Sequence, residues 1–419
     1  MSRRPPFEPI RYALQLSRSG KFATSDNLFL KWNDKHWEIV SYDDALRKAL
    51  SWIIEDGDIS NASAANAKAA HQTALIQLPA LQEPTHISVI PVGNGYLHLD
   101  GSPVLKSHDK ELGLRHTLGC DYLPSAPTPK MFENLLTRIL PDPAVRNRVQ
   151  EYIGYTLLPD ARFQLAQIWI GSGANGKGTL ANIVQALHGR AVAASPSKLD
   201  GFQASVTLGA SLIYCDEAPP QNWCEQTIKS MIAGETVQID RKYQSPITTR
   251  IIGKWLILAN HVPSVKDQSN GFWRRFDIVP FGVEIPASER DPKLADRIIM
   301  YELTGVLNWA LEGLQRLLER GRFEAALPSA MTAATQAART ETNSVHAWVS
   351  EASIERTTTT ATSKSTVYTA YASWCKENGM LSVASPKFWK RLPDSLGEIV
   401  ESRATTGAGR IRTCNILLP

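Results

Sequence analysis

The chain has 419 residues, 43% apolar and 21% charged, which excludes wholesale disorder and, at about 100–200 residues per domain, a single small domain. The formal charge of +4 is too small to mark the whole chain as a nucleic-acid binder, but it is unevenly placed. From Lys364 on there are eight Lys/Arg against four Asp/Glu, and 37 against 37 before it. Five scattered cysteines form no CxxC pair, so a reducing, cytoplasmic setting without disulfides or structural zinc is expected. Arg3-Arg4 has no apolar run behind it, and no stretch approaches 18 apolar residues. Neither an export signal nor a membrane span is expected.

In chain order, Trp37 to Val40 reads as a short strand, and Ser41-Tyr-Asp-Asp caps a helix running to Ile54. Asn61 to Ala70 is either a polar loop or a weak helix. Asn94-Gly95, between apolar runs, predicts a hairpin turn. Helical periodicity covers Met131 to Leu158. From Leu165 to Val283, short apolar runs alternate with Gly/Pro loops and helices, the pattern of an α/β sheet domain. An amphipathic helix spans residues 300–320, and helix continues past Pro328 to about Ser350. Thr357 to Ser363 is a polar linker, and the basic tail follows as its own unit.

The chemistry concentrates after Leu165. An apolar strand runs into Gly171-Ser-Gly173-Ala-Asn175-Gly176-Lys177-Gly178-Thr179, where a helix opens. Backbone N–H groups of such a loop and the helix N-terminus cradle phosphates, Lys177 adds a point charge, and Gly171, Gly173 and Gly176 permit close approach. The position directly after the lysine, where a Ser or Thr would ligate Mg²⁺, is Gly178. Either Thr179 reaches the metal or water takes its place. Ser211-Leu-Ile-Tyr-Cys-Asp216-Glu217 is a buried-strand pattern ending in two acids, Asp216 for Mg²⁺ through water and Glu217 to polarise an attacking water. A third strand ends at Asn260, whose amide could sense the γ-phosphate or position water. Gly271-Phe-Trp-Arg274-Arg275-Phe precedes a fourth strand. These arginines fit a solvated face, a local salt bridge, or a finger reaching a neighbouring subunit's ATP. Read as strand neighbours they point to opposite faces, so only one of them can be that finger; Arg275, at the start of the strand, is the first choice and Arg274 the runner-up. Arg241-Lys242-Tyr243 is a basic-aromatic cluster at a turn, able to hold a phosphate and stack a base, or simply a solvated hairpin tip.

Together these motifs resemble superfamily 3 helicases, ring-forming AAA+-like ATPases of viruses, phages and plasmids, and within them the poxvirus- and phage-type primase-helicase branch. The resemblance is sharp over Gly171 to Arg275, extends more weakly back to about His86, and reaches forward into the tail. It implies a P-loop AAA+-like α/β core with a mixed N-terminal domain, a helical collar and a C-terminal winged helix. The expected boundaries are 1–130, 131–164 (helical segment), 165–325 (ATPase core), 326–363 (helix and linker) and 364–419 (winged helix). Residues 228–243 match a segment that grips single-stranded DNA in the ring channel, which makes Lys242 the first DNA contact, with Arg241 and Lys229 behind it. Val367 onward matches the first winged-helix helix. Ser385-Pro-Lys387-Phe-Trp-Lys390-Arg391-Leu matches the second, with Arg403, Arg410 and Arg412 around the wing. The activity implied is ATP- and Mg²⁺-dependent 3′-to-5′ unwinding of single-stranded and forked DNA by a homo-oligomeric, hexameric ring, in replication of a mobile element. Two alternatives stand beside it: a non-unwinding, ATP-regulated origin-binding initiator, and a helicase subunit working with a separate primase. Residues 1–85 lack the acidic pattern of a primase.

Overall fold

The computed structural model describes residues 6–418 apart from 83, 85–87, 243, 264, 266, 268, 359–361, 379, 381, 407 and 408; the side chains of 341, 342, 403–406 and 409–411 also fall outside the description. The paired N-terminal arginines and His86 thus lie outside the described residues. Among the described residues, no helix is long and apolar enough to cross a membrane.

The N-terminal portion contains two units. In the first, α1 (Pro9–Ser19), α2 (Tyr42–Glu55) and α3 (Ala64–Gln77) pack on an antiparallel sheet of β1 (Phe22–Ser25), β2 (Leu28–Trp32) and β3 (Trp37–Ile39). Ser41 caps α2 as expected, accepting from the Asp44 N–H. The ambiguous stretch after Asn61 is helical, because Ser63 caps α3 and Ala67, Ala70 and Ala74 face the core. The second unit is the meander β4 (Val89–Val92), β5 (Gly95–His98) and β6 (Val104–Lys106). Its first turn centres on Gly93-Asn94, one residue earlier than expected, since Val92 pairs with Gly95. The Asn94 side chain ties that turn to residue 122. Its amide donates to the Tyr122 carbonyl (3.0 Å) and its Oδ1 accepts from the Tyr122 N–H (2.9 Å).

The middle of the chain comprises α4 (Lys130–Ile139), α5 (Pro143–Thr156), β7 (Ala166–Ile170), α6 (Lys177–Leu187), β8 (Ala191–Ala193), β9 (Leu212–Cys215), α7 (Glu225–Ala233), β10 (Thr236–Arg241), β11 (Gln244–Arg250), β12 (Lys254–Ala259), α8 (Asn270–Trp273), β13 (Phe276–Pro280) and α9 (Leu294–Arg320). Five strands form one parallel sheet in the order β13-β7-β12-β9-β8. Alternation along each strand sends one set of residues to each face. Trp169, Leu256, Leu258 and Val279 meet α4, α5, α6 and α9, whereas Ile168, Ile213, Ile257 and Ile278 meet α7 and the N-terminal sheet. Residues 131–164 are therefore part of the sheet domain's core rather than a separate segment. The crossing of α5 on α9 needs two glycines: a Cβ on Gly154 would stand 2.5 Å from the Ala310 oxygen, and one on Gly313 2.6 Å from the Gln150 oxygen.

The last portion holds α10 (Ser329–Thr342), α11 (Ser344–Glu351), β14 (Glu355–Arg356), β15 (Thr362–Ser363), α12 (Lys364–Glu377), α13 (Ser385–Leu396), β16 (Glu401–Thr406), β17 (Gly409–Cys414) and β18 (Ile416–Leu417). The expected boundary at Lys364 is displaced. Val345, Trp348 and Ile354 share one core with Val367, Tyr371, Phe388 and Leu392. Thr362 and Ser363 pair with Cys414 and Thr413 in the sheet β15-β17-β16. The polar run is an internal connection of a unit that begins at α11, because burying Trp348 requires α12 and α13.

Candidate functional site

The parallel order places the ends of β7, β12 and β9 side by side, so three loops widely separated in sequence converge on one edge. After Ile170 the chain turns through residues 171–176, with positive φ at Gly173 (105°), Ala174 (51°) and Gly176 (76°), and enters α6 at Lys177. The turn aims backbone N–H groups and a helix N-terminus at one point, a cradle suited to phosphate oxygens. Asn175 shapes the loop from beneath. Its buried side chain donates to the Phe281 carbonyl (3.2 Å) and accepts from the Lys177 N–H (3.3 Å). Within the loop expected to hold the nucleotide, Asn175 fixes the backbone shape. A Cβ on Gly171 would collide with that amide at 2.1 Å.

Lys177 is nearly buried. Its ammonium donates to the carbonyls of Ala259 (2.7 Å) and Gly171 (3.0 Å) and approaches Asn260 Oδ1 at 3.5 Å. Burial pulls it below the usual lysine range, and the Glu217 carboxylate opposes that shift. Asp216 and Glu217 follow β9 and are exposed, as is Asn260 at the end of β12. The Ala218 N–H, bonded to the Leu258 oxygen at 2.8 Å, pins the acidic turn to β12. Lys177, Glu217 and Asn260 are thus brought together. Among the described residues no three His, Cys, Asp or Glu side chains gather to hold a metal. Mg²⁺ carried with a phosphate ligand needs only one or two protein oxygens, and Asp216 and Thr179 fit that demand.

The cleft beside this loop has no local signature in the sequence. About 450 Å³ in volume, it is lined by Gly176, Thr179, Met131, Leu135, Ile285 and Leu294, among others. Its apolar wall comes from α4, the segment after β13 and the start of α9, three places that only the tertiary fold joins. Gly178 is exposed, with nothing within 4 Å of a Cβ built on it.

The arginine pair sits elsewhere. Arg274 caps the C-terminus of α8 and is exposed; Arg275 is half-buried and donates from its guanidinium to the Gly271 carbonyl. Neither belongs to β13, so the alternation expected of strand neighbours does not apply. Both precede β13, whose Phe276 pairs with Ala166 at the start of β7. That is the opposite edge of the sheet from the loop.

The expected DNA contacts are also dispersed. Lys242 is exposed in the two-residue turn between β10 and β11; Tyr243 lies outside the described residues. Arg241 is bound down, donating to the Ser245 carbonyl (3.0 and 3.2 Å) and to the Asn27 carbonyl (3.4 Å). Lys229 lies on α7 rather than the hairpin and pairs with Asp267 at 2.5 Å. In the last unit, Lys387 and Lys390 are exposed on α13 and Arg412 on β17. Arg391 is half-buried, lowered by burial, and faces Glu225 and Asp267 of the sheet domain. Arg403 and Arg410 stand on β16 and β17 with side chains outside the described residues.

The fold is a mixed α/β protein built on a parallel sheet. It resembles the C-terminal region of NrS-1 over 98% of this chain and 100% of that one, with TM-score 0.55 and 12% identity. Residues 169–275, which hold the loop, the acids, Asn260 and both arginines, match a family of unknown function, DUF5906. Residues 340–410 match the Poxvirus D5 protein-like family. A protein of Acanthamoeba polyphaga mimivirus named as a helicase is 24% identical over 163 residues, 36% of this chain and 17% of that protein. A protein of African swine fever virus named as a primase is 22% identical over 325 residues, 70% of this chain and 34% of that protein. The chain therefore spans about a third or less of the curated relatives it matches. These similarities place the chain's sequence near viral proteins named as a helicase and a primase, and its C-terminal part near the Poxvirus D5 protein-like family.

Proposed function

We propose that this chain is the ATP-driven motor of a replication helicase of superfamily 3, acting as a homo-oligomeric ring, a hexamer, on single-stranded and forked DNA. The observation that carries the reading is the meeting of Lys177, Glu217 and Asn260 on one edge of a parallel sheet in which β12 lies between the loop strand and the acid strand. ATP would place its phosphates in the 171–176 cradle and its base against the apolar wall beside Thr179. Lys177 would then exchange the Ala259 and Gly171 carbonyls for phosphate oxygens. Mg²⁺, held by Asp216 with Thr179 or water, would supply neutralising charge on the phosphates. Glu217 is placed to take a proton from the attacking water, and Asn260 to orient that water. Arg274 or Arg275 would serve a neighbouring subunit's site, since both stand on the far edge from their own loop.

The last unit, with its helix–strand–helix–helix–hairpin order and three-stranded sheet, supports a winged-helix reading, with Lys387, Lys390 and Arg412 presented to duplex DNA. The part of the African swine fever virus relative that aligns is a third of that protein, which supports a helicase portion whose primase lies in another segment or chain.

Strand displacement on 3′-tailed and 5′-tailed forks tests the reading. ATP-dependent unwinding of the 3′-tailed fork, lost in Lys177→Ala, is expected. Hydrolysis without unwinding would favour the initiator, and no hydrolysis at all would defeat both.

A further inference from the structure

The two arginines before β13 hang on a helix of four residues. In α8 the Arg274 N–H donates to the Asn270 carbonyl (3.0 Å) and the Arg275 N–H to the Phe272 carbonyl (3.0 Å). So short a helix makes too few hydrogen bonds to hold itself, and its position is set by what packs against it. Phe272 and Trp273 share a core with Ala338 of α10. The next residue, Arg339, reaches further. Its guanidinium donates to Asn270 Oδ1 and lies over the Trp273 ring, 5.9 Å from the centroid, within the range of a cation–π contact. Asn270 is thus gripped twice, by α10 through its side chain and by Arg274 through its main chain.

The other side of α10 belongs to the last unit. Gln336, three residues before Arg339 and its neighbour on the helix surface, donates from its amide to His346 Nε2 on α11 (2.7 Å). The second ring nitrogen of His346 lies 3.2 Å from Ser395 Oγ on α13. One residue, Asn343, joins α10 to α11; it is buried, and its Oδ1 accepts from the Val345 N–H (3.2 Å), so the joint has little slack. Burial lowers the Arg339 guanidinium, and the Asp394 carboxylate, again on α13, opposes the shift. α13 is also the helix that presents Lys387 and Lys390 to solvent. A series of polar contacts therefore runs from that helix to the residue holding Arg274, and none of its members belongs to the 171–176 loop.

We propose that Arg339 is a positioning residue that couples the last unit to the arginine turn. Duplex DNA along α13 restrains Ser395 and His346, α10 carries that restraint, and Arg339 passes it to Asn270 and so to Arg274. The inference rests on the motor reading. It adds a regulator to it, the duplex held by the last unit, acting on the arginines offered to a neighbouring site rather than on the loop.

The test uses the full chain and a blunt DNA duplex of mixed sequence, with two readouts. The first is hydrogen exchange of the backbone at 270–275 without ATP, which needs no hydrolysis. Duplex should slow that exchange about threefold or more in the wild type. Arg339→Ala should lose the response while binding duplex as before by fluorescence anisotropy. Arg339→Lys, which keeps a cation for Asn270 and the ring, should restore most of it. Asn270→Ala removes the same contact from the other side and leaves α10 as it is, and the double variant should match either single. The second readout is steady-state hydrolysis. Arg339→Ala should lower kcat about tenfold and leave KM for ATP within about twofold, because its own loop is untouched. Duplex should no longer change its kcat. The proposal falls if duplex leaves exchange at 270–275 unchanged in the wild type, if Arg339→Ala responds as the wild type does, or if its lost response is matched by lost duplex binding. An exchange response that follows Arg339 in a chain that hydrolyses no ATP keeps the coupling and defeats the motor reading instead.

Discussion

Arg148 and Asp277 meet in the core as a bidentate ion pair, Nε to Oδ2 at 2.6 Å and Nη2 to Oδ1 at 3.1 Å, with side chains only 8% and 4% exposed. The pair joins α5 to β13. The same guanidinium donates to the Glu324 carbonyl at 2.9 Å and lies over the Phe323 ring. Removing one partner leaves a buried charge uncompensated, which costs about 3–5 kcal/mol. Asp277→Ala should therefore melt well below the wild type. Arg148→Met with Asp277→Leu should return most of the stability, because a well-packed apolar pair is often as good as a buried ionic one. Denaturant titration of the two singles and the double checks this. Additive losses would show that the residues do not act as a pair.

A second prediction concerns acid. His116 is fully enclosed and neither ring nitrogen has a hydrogen-bond partner among the described residues. Burial pushes it down to about 3, with like charge from Lys254 and His36 adding to the shift. The unfolded chain binds this proton near pH 6.5, and the folded chain does not. Stability from this group is complete above pH 6.5 and drains away as pH falls toward 3. His116→Leu should flatten that slope, melting near the wild type at pH 8 and above it at pH 5. A parallel pH profile for both proteins would contradict the assignment.

The third prediction separates the two hydroxyl readings at the loop. Gly178 has open space where a Cβ would stand, so Gly178→Ser is sterically free and places a hydroxyl directly after the lysine. If Thr179 supplies the metal oxygen, Thr179→Ala should lower ATP hydrolysis about tenfold or more and raise the Mg²⁺ requirement. Gly178→Ser should then recover part of the loss. If water already fills that place, Thr179→Ala changes little, which a Mg²⁺ titration of the hydrolysis rate would show.

The loop, the acids and Asn260 were legible because each couples a buried-strand pattern to a polar tip, a signal that is local in sequence. What joins them is not local. Only the β13-β7-β12-β9-β8 order puts Asn260 beside Lys177, and nothing in the segment 254–260 states that order. The apolar cleft wall has no local signature for the same reason, since Met131 and Ile285 lie on opposite sides of the sheet strands in sequence. Surface charge was the poorest guide. Arg241, Lys229 and Arg391 read as DNA contacts, but Arg241 holds the Ser245 and Asn27 carbonyls, Lys229 holds Asp267, and Arg391 faces Glu225 and Asp267. A basic residue looks the same in sequence whether it awaits a phosphate or already has a partner in the fold.

The polarity of the Thr-rich run reads as a joint for a related reason, although Thr362 and Ser363 pair with Cys414 and Thr413. A chain ending at Thr362 keeps α11 but loses α12 and α13, leaving Val345, Trp348 and Ile354 uncovered. It should aggregate or melt early. A chain ending at Asn343 removes the whole unit and should stay soluble with basal hydrolysis intact and weaker, less salt-dependent duplex binding. Light scattering on the two truncations decides between a joint at 343 and one at 362.

The last prediction concerns which arginine completes a neighbour's site. Both stand before β13, about one strand length from their own loop, so any contact with ATP must be made across a subunit boundary. Arg274 is exposed and able to reach a partner, while Arg275 is half-buried and donates from one guanidinium nitrogen to the Gly271 carbonyl, which ties it to the α8–β13 turn. An arginine delivered in trans neutralises charge on the transferring phosphoryl group and can raise the rate on the order of 10³-fold or more. Arg274→Ala should therefore abolish hydrolysis with little change in melting temperature, whereas Arg275→Ala should lower the melting temperature as well. Mixing either variant with Lys177→Ala provides the decisive measurement. Each protein alone is nearly inactive, but a mixed ring contains interfaces in which an intact loop faces an intact arginine. Hydrolysis should reappear with the variant that removes the finger. A mixture that forms mixed rings and regains nothing excludes that arginine from the trans role, and recovery with Arg275→Ala but not Arg274→Ala would return the finger to the half-buried residue.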